Sequence, residues 1–160
     1  INIIYSRSLK TNGIHLIDLI FFLFGDNIDF NISVKKNTHT DNPSFFLELE
    51  NNVLCSVNGI DLDYHSIDIT AHFDNGRVSI LYGGLEEIIE TSEDNEIYKG
   101  FYNLKKTNSK FTTKKLREHL LNVNEKIIND LINSYENKKL PKSNIYTSKN
   151  LYTVLEKVLK

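Results

Sequence analysis

Apolar and polar residues change period several times along this chain, and each change predicts a different kind of element. Residues 1–5 are β-branched and aromatic, which predicts a strand, and Ser6, Arg7 and Ser8 supply a polar turn after it. The next segment is too densely apolar to alternate and predicts a helix that starts at Thr11 or Asn12, runs to Phe24 and is stopped by Gly25. Its apolar positions cover nearly the whole circumference, so burial on most sides is expected. Two polar residues, His15 and Asp18, interrupt them, and with Phe22 they share one stripe at i, i+3 and i+7.

After Gly25 the period shortens. Segments 28–34, 45–49, 53–60, 66–73 and 78–82 read as strands, with 85–90 and 97–102 as further candidates. The links Glu50-Asn51-Asn52 and Asp74-Asn75-Gly76 carry residues that tolerate positive φ, so the strands are expected to form an antiparallel meander. Alternation in Phe45, Leu47 and Leu49, and in Ile67, Ile69, Ala71 and Phe73, places one face of that sheet on a core. Phe46, Leu54 and Tyr64 make the other face mixed, a composition that suits a subunit interface.

Helical spacing returns over 113–135. Leu116, Leu120, Val123, Ile127, Leu131 and Tyr135 form a stripe, Leu121, Ile128 and Ile132 widen it, and a broad buried face is expected. Asn137-Lys138-Lys139-Leu140-Pro141 ends this helix. A last one from Thr147 or Ser148 is expected to bury Leu151, Val154, Leu155, Val158 and Leu159. The order of elements predicts an α+β fold, a mainly antiparallel sheet with helices on one face, as a single domain over residues 1–160.

Composition narrows the functional classes. The 160 residues are 40% hydrophobic and 25% charged, enough for one real core. A net charge of −2 and a pI near 6.2 give no electrostatic footprint for nucleic acid, and Lys114-Lys115 and Lys138-Lys139 read as solvated helix faces. The apolar run from Ile14 to Phe24 is interrupted by charge and far shorter than the roughly 20 residues of a membrane span, and no signal-peptide shape precedes it. One cysteine, Cys55, excludes an internal disulfide and suits a reducing, cytoplasmic compartment as a small buried strand residue. The chain begins at Ile1 and contains no methionine, and the expectation is that it is a piece of something longer.

Local spacing supplies little chemistry. The histidines at 15, 39, 65, 72 and 119 include no i, i+4 pair, and His65 and His72 would point to opposite faces of a continuous strand, so no zinc motif can be drawn. Gly83-Gly84 is the one close glycine pair, and neither a dinucleotide fingerprint nor a phosphate loop results. No serine sits in a nucleophile elbow, and Cys55 has no local histidine. His15 remains. Imidazole titrates near neutrality and suits proton exchange with a hydroxyl, and Asp18 one turn on would fix its tautomer. On pattern alone, a buried histidine bonded to Asp18 or to backbone is the commoner case.

The string Asn12-Gly13-Ile14-His15-Leu16-Ile17-Asp18-Leu19, continuing to Phe24-Gly25, resembles a motif of the Gfo/Idh/MocA family of NAD(P)-dependent oxidoreductases. There it opens the first helix of the C-terminal domain. The turn Phe73-Asp74-Asn75-Gly76-Arg77-Val78, a long late helix and a terminal helix after a Leu-Pro segment extend the likeness over nearly the whole chain. The resemblance implies a substrate and oligomerisation domain without its N-terminal Rossmann domain. It implies His15 as general acid/base on a sugar or polyol hydroxyl, with Thr11, Asn12 and Asp18 on the substrate side, and it reverses the weighting of His15 given above. NAD or NADP would belong to the full-length parent, with none bound by this chain alone, so the isolated chain is expected to be inactive.

Two departures stand out. Many members carry an aspartate four residues before the histidine, where this chain has Thr11, which cannot ionise. The family's substrate-contacting lysine belongs to the upstream domain. The implied partners are a sugar-like small molecule, the missing Rossmann domain and a second copy of the chain through the open sheet face, with no nucleic acid and no membrane. A non-catalytic dimerising module and a small-molecule sensor are the alternatives.

Overall fold

The computed structural model describes residues 1–25, 29–35, 41–50, 52–107, 117–119, 121–141 and 145–160. Eight strands form one sheet: β1 Asn2–Tyr5, β2 Phe30–Val34, β3 Phe45–Leu49, β4 Leu54–Gly59, β5 Ile67–Phe73, β6 Gly76–Leu81, β7 Glu86–Asp94 and β8 Tyr102–Thr107. The described helices are α1 Ile14–Phe24, α2 Val123–Glu136 and α3 Ile145–Val158, and a π-helical turn Leu9–Gly13 leads into α1. The α+β class read from the sequence is the class observed.

The sheet order is β2-β3-β4-β1-β5-β6-β7-β8, which departs from the expected meander. β1 lies between β4 and β5, parallel to the first and antiparallel to the second. The reason is burial: Ile3 and Tyr5 are fully buried, so β1 gains most in the middle of the sheet and not at its edge. The connection of residues 60–66 therefore has to pass over the C-terminal end of β1. Elsewhere neighbouring strands are hairpins, including β5–β6, where Phe73 pairs with Gly76 across Asp74 and Asn75.

One face of β1 to β5 carries the core. Ile3, Tyr5, Phe45, Leu47, Leu49, Cys55, Val57 and Ile69 point inward from alternate positions and meet Leu16, Ile17, Ile20 and Phe21 of α1 and Val154 and Val158 of α3. Each large side chain so buried contributes roughly 1.5 to 3 kcal/mol. The Phe21 and Phe30 rings lie 5.2 Å apart and join α1 to β2. Cys55 is the buried strand residue expected, and burial pushes its thiol up to about 11. Among the described residues no helix is long and apolar enough to cross a membrane.

Several expectations are corrected. Ser8, not Thr11 or Asn12, caps the helical segment, its hydroxyl accepting from the Lys10 amide at 3.2 Å, because the first turn is π-helical and begins earlier. α1 is buried on one face and not on most sides, since Phe22 and Leu23 are more than half exposed. Phe73 lies on the core side of β5 but beyond the covering helices, and it too is exposed. Residues 97–101 form a turn instead of a strand, and β7 and β8 lengthen on either side of it.

The late helix departs furthest. α2 has no buried residue: Val123, Ile127, Leu131 and Tyr135 of the expected stripe are all exposed, as are Leu121, Ile128 and Ile132. Its apolar period is real, but no described element covers it. α3 starts two residues earlier than expected, and it buries Val154 and Val158 while Leu151, Leu155 and Leu159 are half-buried against the core. Ile28, His39, Asn51, Thr113, Lys114, Lys115, Leu116, Leu120 and the Thr147 side chain lie outside the described residues.

Candidate functional site

The candidate residues sit where β1 turns into α1. Arg7 and Ser8 both have positive φ, 61° and 82°, and Ser8 combines this with ψ 137°, a conformation ordinarily reserved for glycine. Such backbone persists only where the surroundings over-determine it, and here they do. The Ser8 amide donates to Asn42 Oδ1 at 2.7 Å, and its carbonyl accepts from the Asn12 amide at 3.0 Å. The next amide, that of Leu9, donates to the Asp41 carbonyl at 2.9 Å.

Ser6 anchors the other side of the turn. It is fully buried, and every polar atom it carries is bonded. Its amide donates to Ser66 O at 3.0 Å, its hydroxyl donates to Tyr64 O and accepts from the Ser66 amide, both at 2.8 Å, and its carbonyl accepts from Asn12 Nδ2 at 2.7 Å. Arg7 Nη2 donates to Asp63 O at 3.2 Å. Segments 41–44 and 60–66 are thereby clamped onto the start of the helix. Tyr64, expected on the outer sheet face with Phe46 and Leu54, instead belongs to this clamp.

On that support the four sequence-predicted residues separate. His15 is exposed in the first turn of α1, and Asp18 is half-buried one turn on. Thr11 is exposed, with its hydroxyl donating to the Arg7 and Ser8 carbonyls. Asn12 is half-buried, bonded to Ser6 and within 3.2 Å of His65 Nδ1. His15 is therefore not the buried histidine that pattern alone makes the commoner case: the apolar helix leaves it exposed, away from the core. His65 is the residue that sequence reasoning set aside, because only the crossing of residues 60–66 over β1 brings it to Asn12.

In the strand-to-helix turn the one glycine, Gly13, packs against Tyr5 and Leu9, and a Cβ added there would stand 2.7 Å from the Leu9 side chain. Among the described residues no group of three or more His, Cys, Asp or Glu is arranged to hold a metal ion. A concavity of about 440 Å3 lies far along the sheet, between Asp29, Phe30, Asn31, Glu48, Leu49, Glu50 and Asn52, and includes none of the four candidates.

No protein-family description and no curated protein sequence matches the chain. Solved structures do. A UDP-N-acetylglucosamine 3-dehydrogenase from Acidithiobacillus ferrooxidans superposes with a TM-score of 0.58 at 12% identity, over 98% of this chain and 52% of that one. A 3-ketoreductase from Actinomadura kijaniata, in complex with NADP, gives 0.43 at 11% identity, over 78% of this chain and 44% of that one. The chain shares the fold of the first and spans about half the length of each.

Proposed function

We propose that this chain is the substrate-binding and oligomerisation domain of a cytoplasmic, NAD(P)-dependent sugar- or polyol-type oxidoreductase of the Gfo/Idh/MocA family, with His15 as its general acid/base. The observation that carries the reading is the exposure of His15 at the start of a largely apolar helix that follows a turn of strained backbone. Backbone strain of this kind gathers at functional sites. The shared fold of a UDP-N-acetylglucosamine 3-dehydrogenase supports it and makes an amino-sugar nucleotide the first substrate to try.

In this reading the imidazole takes the proton of a substrate hydroxyl as that carbon is oxidised, and returns one in the reverse direction. Asp18 orients the ring. Both hydrogens of Asn12 Nδ2 are engaged, leaving its Oδ1 as an acceptor for a sugar hydroxyl. A nicotinamide, when bound, would supply the hydride chemistry, and residues outside this chain would hold it.

The test is His15→Ala in the longer protein. Turnover should fall at least a hundredfold with thermal stability unchanged, as removal of a general acid/base costs about 10²- to 10⁴-fold. Near-normal turnover would sink the assignment, and NAD(P)-dependent turnover by the 160-residue chain alone would overturn the placement of the cofactor.

One observation favours a second reading, a non-catalytic dimerising module. Thr11 holds the place of the family's aspartate, and its hydroxyl is turned onto backbone carbonyls. In that case His15→Ala alters neither assembly nor any ligand response, and sedimentation of the chain at micromolar concentration gives a dimer.

A further inference from the structure

His65 stands 53 residues from Asn12 in sequence, yet its Nδ1 lies 3.2 Å from Asn12 Nδ2. The Asn12 amide has its orientation imposed from the other side. The Ser6 carbonyl, 2.7 Å away, can only accept, so the NH2 group and not Oδ1 must face it. An amide nitrogen has no lone pair to offer, so His65 Nδ1 has to be the acceptor. The ring is then neutral with its proton on Nε2. Ser6 is buried and fully bonded, so this chain of dependence runs from a rigid point of the core to an exposed imidazole. Asn12 precedes His15 by one turn at the same end of the helix.

We propose that His65 is a further ligand-binding residue of the His15 site, its ring fixed by Asn12 and its Nε2–H presented as a donor to an oxygen of the sugar substrate. The proposal rests on the reading of the function given above. It assigns the two imidazoles different tasks. His15 exchanges a proton, while His65 accepts from Asn12 at Nδ1 and donates to the substrate from Nε2.

Histidine-selective 15N labelling of the chain, with two-bond imidazole spectra recorded at alkaline pH, reads the tautomer directly. His65 should be in the Nε2–H form, and Asn12→Ala should release a mixture. A wild-type ring protonated on Nδ1 overturns the proposal. Titration with UDP-N-acetylglucosamine should then shift the resonances of both His15 and His65. His65→Asn keeps an acceptor for Asn12, but its shorter side chain brings no donor to the position of Nε2, so it should bind about tenfold more weakly at an unchanged melting temperature, the size of one lost hydrogen bond. Shifts at His15 alone, or wild-type affinity in His65→Asn, overturn the role of His65 and leave the function of His15 standing. Shifts at neither histidine overturn both.

Discussion

The Tyr5 hydroxyl donates to the Pro43 carbonyl at 2.6 Å inside the core, joining the end of the central strand to the segment that holds Ser8. Burial pushes the phenol well above its ordinary value, so it remains a protonated donor. Tyr5→Phe leaves the carbonyl without this partner. The expected loss is about 1 to 2 kcal/mol with the fold retained, read as a shift in the urea midpoint at constant slope.

Gly59 pairs with Tyr5 at the end of β4, and a Cβ built there would lie 2.2 Å from the Asn42 carbonyl oxygen. The obstacle is backbone and cannot rotate away. Gly59→Ala should cost about 1 to 3 kcal/mol, while Gly100→Ala, with open space around its Cβ, should show only the smaller penalty of its positive φ. Equal melting temperatures for Gly59→Ala and wild type would contradict the close approach.

Ser8→Gly should raise stability. The serine adopts φ 82° and ψ 137°, where strain is of order 1 to 3 kcal/mol, and glycine as a cap loses only a few tenths. The added chain entropy of glycine offsets part of the gain, so a net increase of about 1 kcal/mol is expected by chemical denaturation. A destabilised variant would show that the hydroxyl contact to the Lys10 amide outweighs the strain.

Arg77 and Glu90 form a two-point ion pair across β6 and β7, with Arg77 Nη2 at 3.1 Å from Glu90 Oε1. Hydrogen bonding from Arg77, then the charges of Arg77 and Lys106, hold the Glu90 carboxyl below its usual range against a counteracting burial effect. A folded value below the unfolded one means stability that is present above the ordinary glutamate range and lost as pH falls through the folded value. Glu90→Gln should therefore flatten the acid limb of a stability-against-pH series. Parallel acid limbs in variant and wild type would remove this pair from the account.

Ile17 and Leu131 separate the packed helix from the uncovered one. Ile17 is fully buried in α1, and Ile17→Ala should cost about 2 to 5 kcal/mol. Leu131 is half exposed on α2, and Leu131→Ala should change stability by less than about 1 kcal/mol. A large loss at Leu131, falling with dilution of the protein, would mean that α2 is covered by another copy in solution.

Much of the fold was legible because period reports local geometry. Alternation located β3 and β5 within a residue, Gly25 ended α1 where expected, and the Asp74-Asn75-Gly76 signal marked a real hairpin. Alternation says which face a strand buries but not beside which strand it lies, and so the place of β1 between β4 and β5, inside the meander expected after Gly25, was not legible. The late helix illustrates the same limit: its 3.6-residue stripe is present in α2, yet a stripe defines a surface able to be buried and not the partner that buries it.

The site divides along the same line. His15 and Asp18 were visible from sequence because polar residues are costly inside an apolar helix and stand out against it. Their facing, out of the core, was settled by which side of α1 meets β1 to β5. His65, the clamp on Ser6 and the left-handed backbone at Arg7 and Ser8 have no local signature at all. They exist because β1 inserts between β4 and β5 and draws residues 60–66 across its end. The sequence alone thus determined most of the elements and the faces able to be buried, through backbone periodicity and side-chain polarity. Strand order and the meeting of Asn12 with His65 were decided by the tertiary structure, because they depend on competition among distant segments for one core.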